Sequence, residues 1–376
     1  MARSYLDHAS TSPLRPGAAA AMADVLAAAA AGELGDPSRS HHEGLAARAL
    51  VEQSRGEVAS AFGARPREVV FCSGASEAIS TASHGATRRA PERAHSVLPA
   101  VEHAAVRLAA TTGPHTIVGV DADGRVDPDH IAAAIRADTA VVHLQWANHE
   151  VGTIQPIAEV AAICRERGVL FHVDAAQAAG HVPIDFAASG VDLMSISAHK
   201  LGGPSGTGAL LIRRGLRLES LIRGGDQERA RRAGMEHVVG VVGFAAAATD
   251  AVTGLASEAD RLAVLVERVT SWADSTDAVG VLGCRQHKLP HLLCLRIAGI
   301  EPQPVLIGLD RAGIAVHSGN SCSSEALEPS PVLEAMGVDA HHSLRISMGW
   351  STTGHDVDRL LAELPRVLDE LNELRL

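Results

Sequence analysis

Two lysines, Lys200 and Lys288, stand among the 33 basic residues of this 376-residue chain; the other 31 are arginine. Where positive charge alone is wanted, the chain uses arginine. Lysine is kept for a task arginine cannot perform, which is to lose its proton and act as an amine nucleophile, since the guanidinium pKa stays above about 12. Lys200 closes the stretch Val191-Asp192-Leu193-Met194-Ser195-Ile196-Ser197-Ala198-His199-Lys200, an apolar run that opens into a polar turn. That setting makes it a candidate Schiff-base lysine. Lys288, within Arg285-Gln286-His287-Lys288, has no such setting and reads as a solvated side chain.

Two other groups have matching chemistry. Gly74-Ala75-Ser76 lies between an apolar run and a helical pattern. Its backbone N–H groups and the Ser76 hydroxyl suit a phosphate at the positive end of a helix; Ser76 equally suits a plain N-cap. Asp174 ends the apolar run Phe171-His172-Val173. A carboxylate there suits a protonated ring nitrogen, the partner that pyridoxal phosphate (PLP) enzymes use; a helix cap is the alternative.

These residues need a scaffold that brings them together. From residue 69 to 212, short β-branched runs alternate with helical periods: strands at Val69–Cys72, His95–Pro99, Thr116–Val120, Ala140–Leu144, Val169–Val173, Leu193–Ile196 and Gly208–Ile212, with helices between most of them. This predicts a mainly parallel sheet covered on both faces. Such sheets hold ligands beyond the carboxyl ends of their strands. The rule gathers Ser73–Glu77, Glu102-His103, Asn148-His149, Asp174 and Lys200 on one rim. Helices are expected at Ala18–Ala31 and Glu43–Phe62. After about residue 250 the pattern changes to a long helix (Glu258–Trp272), strands near Leu292–Ile297, Ile314–His317 and Leu344–Ser347, and a closing helix interrupted by Pro365. The expected division is a large domain over 15–250 and a small α+β domain from 1–14 plus 251–376.

Composition narrows the class. Hydrophobic residues make up 46% and charged residues 20%, as in a globular chain. No apolar run approaches the roughly 20 residues that span a bilayer, and the alanine-rich start lacks the basic opening of a signal peptide. Five scattered cysteines form no CxxC pair. Free thiols in a reducing, cytoplasmic setting and no metal site are expected. A net charge of −11 argues against direct nucleic-acid binding.

Several longer motifs are also present: Tyr5-Leu6-Asp7-His8-Ala9, Gly74-Ala75-Ser76-Glu77, Val101-Glu102-His103, Asn148-His149-Glu150-Val151-Gly152, His172-Val173-Asp174, Ser197-Ala198-His199-Lys200, Ser318-Gly319-Asn320-Ser321-Cys322, Leu327-Glu328-Pro329-Ser330 and Leu344-Arg345-Ile346-Ser347. On these the chain resembles the cysteine desulfurases of the NifS/IscS type, in the class V branch of fold-type-I PLP enzymes, over nearly its whole length. The resemblance implies an α/β fold and PLP as cofactor, joined to Lys200. Asp174 would hold the pyridine nitrogen and His103 would stack on the ring and serve acid–base steps. Gln177 would reach the ring oxygen. Gly74, Ala75, Ser76, Ser197 and His199 would bind phosphate, and Arg345 the carboxylate of L-cysteine. Cys322 would take the sulfur as a persulfide and pass it to an acceptor protein, leaving alanine. A homodimer is implied as well.

The other four cysteines read as core residues. Four positions depart from the family pattern. His149 replaces an asparagine that contacts the ring oxygen or substrate. Asp36, in Gly35-Asp36-Pro37, replaces an asparagine near the substrate. Met235 replaces a threonine that reaches a neighbouring subunit's phosphate, and Arg223-Gly224-Gly225-Asp226 replaces His-Gly-Gly-Gly. These changes suggest a specialised branch, such as sulfur supply for DNA phosphorothioation, alongside Fe–S cluster assembly. Another class V lyase or aminotransferase, and a PLP-fold partner subunit that has lost turnover, are the competing readings.

Overall fold

The computed structural model describes residues 3–90, 92–319 and 329–373. The strands, in chain order, are β1 (Ser4–Tyr5), β2 (Val69–Cys72), β3 (His95–Pro99), β4 (His115–Val118), β5 (Thr139–Gln145), β6 (Leu170–Asp174), β7 (Leu193–Ser197), β8 (Gly208–Ile212), β9 (Val279–Leu282), β10 (Leu292–Ile297), β11 (Ile314–Ala315) and β12 (Ser343–Ser347). Seven of them form one sheet in the order β2-β8-β7-β6-β5-β3-β4. The β7-β6-β5-β3-β4 run is parallel, and β8 pairs antiparallel with both β7 and β2. The expected α/β architecture with a mainly parallel central sheet is therefore present.

The sheet strands β3, β5, β6, β7 and β8 are buried along their whole length. Burial on both faces explains why they read as continuous apolar runs and not as alternating ones. One face packs against helices His42–Ala61 and Val238–Thr253, which contribute Val51, Val58, Val241 and Phe244 to the main core with Phe71, Val173 and Ile196. Helix Val238–Thr253 is apolar nearly all round, so it carries no amphipathic signature in the sequence.

A second apolar core is built by residues from 262 to 368 and includes Leu6. It contains the antiparallel sheet β12-β10-β9 and the parallel pair β1-β11. The N-terminal strand thus packs with the C-terminal third of the chain. The closing helix runs unbroken from Gly354 to Glu373 with Pro365 inside it. The expected interruption is absent: Val357, Leu360, Leu364, Val367 and Leu368 are all buried on one face. Their burial, at about 1.5–3 kcal/mol per side chain, outweighs the roughly 3 kcal/mol that an interior proline costs.

Candidate active site

The carboxyl ends of the parallel strands open into a cavity of about 590 Å³, within the size range of cofactor sites. Its lining includes Gly74, Ala75, Ser76, His103, His149, Asp174, Gln177, Ser197, His199, Lys200 and Arg345. The structure thus brings eleven sequence-predicted site residues together. Asp36 is not among them. It sits outside the cavity, where its carboxylate accepts hydrogen bonds from the Ser38 N–H (2.8 Å) and hydroxyl (2.7 Å) and pairs with Arg39. Cys322 lies outside the described residues. Met235 is exposed, away from the cavity lining.

Lys200 closes the single 3-10 turn, Ala198–Lys200, that follows β7, and lines the cavity. Its Nζ donates to Gln177 Oε1 at 3.1 Å. Burial pulls its pKa from 10.5 down to about 8, with the Asp174 carboxylate opposing and the Arg345 guanidinium adding to the drop. An amine in that range supplies a useful neutral fraction near neutral pH. Asp174 ends β6, and its Oδ1 accepts from the Ala176 N–H at 3.0 Å, which fixes the carboxylate at the mouth of the strand.

His103 caps helix Ala104–Ala110 by accepting the Ala105 N–H on Nδ1 at 3.1 Å. Its ring proton therefore sits on Nε2. Burial, followed by the nearby His149 and Lys200, lowers its pKa to about 3, so the ring is neutral at neutral pH. The ring of His149 stands edge-on to that of His103, centroids 5.0 Å apart. His149 is buried, and among the described residues neither of its ring nitrogens has a hydrogen-bond partner. Burial drives its pKa well down. Next to it, Glu150 accepts the Ser330 hydroxyl at 2.5 Å, and burial pushes its pKa up to about 7.

Arg345, 1% exposed on β12, is clamped from three sides. Nη1 donates to the His149 carbonyl (2.9 Å), and Nη2 donates to Asp7 Oδ1 (3.0 Å) and Ser10 Oγ (2.7 Å). Nε has no partner. The planar fork is thus held in place with donor capacity in reserve for a carboxylate.

The turn at Gly74-Ala75-Ser76 is built by close approach. Gly74 adopts φ +152°, a region that favours glycine. Strand β8 runs directly beneath it: a Cβ on Gly208 would sit 2.7 Å from Gly74 Cα and 2.5 Å from the Ile196 carbonyl oxygen. Helix Ala75–Arg88 begins there with its first N–H groups free of intrahelical partners. Glu77 in the first turn accepts the Ser73 N–H and is neutralised by Arg232 at 2.9 Å, so its carboxylate does not repel an anion at the turn. Lysine amine, acidic strand end, ring-sized space and phosphate turn together fit the donor set PLP requires.

Residues 4–360 match the aminotransferase class-V family. The chain belongs to that family. It is 38% identical, over 98% of its length and 95% of the relative's, to a cysteine desulfurase IscS of Dictyoglomus turgidum. Among solved structures it is similar to a NifS-like protein (TM-score 0.90, 30% identity, 98% and 99% of the two chains) and to DndA from Streptomyces lividans (TM-score 0.76, 32% identity, 91% and 99%). The class-V fold expected from the motifs is therefore established, and PLP is the cofactor general to this family.

The sequence left some of the site unseen. Asp7 and Ser10 complete the Arg345 clamp although they lie 338 and 335 residues away from it. His181 and His291 stack beneath Lys200 with ring centroids 3.7 Å apart. Neither histidine sits in a recognisable motif, and no sequence signal distinguishes a lone buried histidine from a core residue. Of the cysteines expected in the core, Cys164 and Cys294 are buried, whereas Cys72 and Cys284 are partly exposed. Cys72 donates to the Gly74 carbonyl at the turn that follows β2.

Proposed function

We propose that this chain is a PLP-dependent L-cysteine desulfurase that leaves L-alanine and a persulfide on Cys322 for transfer to an acceptor protein. The observation that carries the reading is the convergence of Lys200, Asp174 and Arg345 on one cavity, in a chain 38% identical along nearly its full length to a cysteine desulfurase.

PLP, when bound, supplies an electron sink for bond cleavage at the substrate's carbons. Lys200 would hold it, and Asp174, Ser76, Ser197, His199 and the 74–76 backbone would fix its two ends. The neutral fraction of Lys200 gives a base within the cavity, and its ammonium a proton donor. Neutral His103 offers its Nε2–H, and its Nδ1 is occupied by the Ala105 N–H. Arg345 would grip the substrate carboxylate with the fork that Asp7 and the His149 carbonyl hold in place. Cys322, as thiolate, would attack the substrate sulfur: the S–S bond forms, the C–S bond breaks, and the electron pair left on carbon takes a proton to give alanine. His149, a neutral buried ring beside His103, is a further candidate for cofactor contact.

The remaining parts of the reading are proposals of the same kind. They are a homodimer, a cytoplasmic location, an acceptor protein in Fe–S assembly or a dedicated thio-modification, and the division into domains 15–250 and 1–14 plus 251–376. Leu6 in the C-terminal core supports that division. Among the described residues, no single helix is long and apolar enough to cross a membrane.

The test is a paired assay of alanine and sulfide from L-cysteine with reductant. Wild type should release both in equal amounts. Cys322→Ser should keep the colour of bound PLP and lose sulfide release. Full release by Cys322→Ser removes the persulfide role, and a colourless protein that takes up no PLP removes the enzyme reading.

A further inference from the structure

Lys200 is gripped at both ends by one buried assembly. Its Nζ donates to Gln177 Oε1 at 3.1 Å. The other end of that amide, Gln177 Nε2, meets His291 Nε2 at 3.2 Å. The His291 ring stacks on His181, centroids 3.7 Å apart and planes 20° apart. His181 Nε2 in turn donates to the backbone carbonyl of Lys200 at 3.3 Å. The circuit runs from the lysine amine through an amide and two imidazoles back to the lysine's own main chain. His291 is 0% exposed and Gln177 3%.

The chemistry of an amide makes His291 decisive. One end of Gln177 donates and the other accepts, so whichever end His291 takes, the opposite end faces Lys200. A free Lys200 ammonium requires the oxygen. With the lysine engaged by PLP, an oxygen acceptor on the cofactor requires the NH2. A neutral imidazole serves either orientation, because Nε2 is a lone pair when the proton is on Nδ1 and an N–H when it is not. His291 Nδ1 is buried and, among the described residues, has no hydrogen-bond partner. Histidines that must stay in one tautomer are usually locked from behind by a carboxylate or carbonyl; this ring carries no such lock. Burial, with the nearby His181, His8, Lys200 and Arg345, keeps it neutral.

We propose that His291 is a positioning residue whose unlocked tautomer lets the Gln177 amide turn, presenting oxygen to the free Lys200 ammonium and NH2 once the lysine carries the cofactor. The second half rests on the PLP reading above; the first does not.

Two variants separate the roles of the ring. His291→Phe keeps a flat ring to stack on His181 and removes both nitrogens. His291→Gln places a group that both donates and accepts near Nε2. The first readout needs neither cofactor nor cysteine. The full chain, freed of PLP, is acylated at a series of pH values, and Lys200 labelling is measured by mass spectrometry against Lys288, the chain's other lysine and an internal standard. In His291→Phe the ammonium loses its enforced acceptor, so relative labelling of Lys200 at pH 7 should rise about three- to fivefold, the change that half to one pKa unit produces for an amine titrating near 8. His291→Gln should stay within about twofold of wild type. The second readout is the pH titration of the bound cofactor's visible absorbance, which should shift in His291→Phe and return in His291→Gln. A folded His291→Phe that matches wild type in both titrations reduces His291 to packing and overturns the proposal. If His291→Phe does not fold, 15N spectra of histidine-labelled wild type decide instead: the His291 Nε2 signal, assigned by its absence from His291→Gln, must change between lone-pair and N–H character when PLP is added, and an unchanged signal overturns the proposal. A chain that binds no PLP overturns the proposed function and with it the turning of the amide, while the lysine titration still decides the hold of His291 on the amide.

Discussion

Replacing Arg345 by lysine keeps the charge and removes the fork. In the structure the guanidinium makes three hydrogen bonds, to the His149 carbonyl, Asp7 and Ser10, and keeps Nε in reserve. An ammonium is a single point donor and cannot meet two oxygens of a carboxylate in parallel while still reaching these partners. Two separate losses follow. Toward substrate, one charge-assisted hydrogen bond of about 1.5–3 kcal/mol disappears, so kcat/KM for L-cysteine should fall roughly ten- to a hundredfold, most of it in KM. Toward the fold, the His149 carbonyl loses its Arg345 donor, which costs about 1–3 kcal/mol in a buried setting. The assay is steady-state alanine formation over a cysteine range, with the visible spectrum of the bound cofactor as control and urea denaturation for the second loss. A loss confined to kcat with unchanged KM would refute the assignment of Arg345 to the substrate carboxylate. Unchanged stability would refute the clamp as a supporting contact.

Three other outcomes follow from the described contacts. Gly208→Ala forces a methyl to within 2.7 Å of Gly74 Cα and should displace the phosphate turn, seen as weaker PLP retention on dialysis with little change in secondary structure by circular dichroism; wild-type retention would count against the turn as the phosphate site. Arg55 and Glu228 form a buried pair, with Nη1–Oε2 at 2.6 Å and Nη2–Oε1 at 2.8 Å, and Glu228 also takes the Phe71 N–H. Arg55→Met leaves that carboxylate uncompensated and should cost about 3–5 kcal/mol in urea unfolding, with much of the loss recovered when Glu228 is also made apolar. Several buried histidines have pKa values below the usual 6.5, His8 near 3 and His143 and His181 near 4, each chiefly through burial. Between these values and 6.5 the unfolded chain binds more protons than the folded one. The histidine contribution to stability is therefore full above about pH 6.5 and falls as pH drops toward 4, by up to about 1.4 kcal/mol per pH unit for each such residue, and these several residues outweigh the opposite contribution of Glu150, whose raised pKa favours the folded state as pH falls below about 7. Urea midpoints at pH 7, 6 and 5 that do not decline would contradict the burial of neutral rings.

Much of the site was legible because it sits where parallel strands end. The apolar runs before Asp174 and Lys200 are short and bounded, and the strands they form, β6 and β7, are neighbours in the sheet as in the chain. The scarcity of lysine marked Lys200 independently of any structural pattern. What escaped reading has a common cause, which is dependence on contacts distant in sequence. Helix Val238–Thr253 is buried on nearly all sides and has no polar face to announce it. Pro365 looks like a breaker locally, but the apolar face around it is held by the second core. Asp36 sits in a substrate-like motif, yet its carboxylate is taken by Ser38 and Arg39 next door. His291 and His181 matter only because a fold places them under Lys200, and no spacing in the sequence encodes that.

The bond between Arg345 and Asp7 joins residues 338 positions apart. On the ribosome, at about 5–20 residues per second, roughly 20–70 s pass between emergence of the aspartate and of its arginine. For that interval the strands carrying Asp174 and Lys200 can already be assembled while the anion grip is still missing. A chain that ends before Arg345 also lacks Ile346 of β12 and the whole closing helix, which help build the second core, so the clamp and that core are completed together.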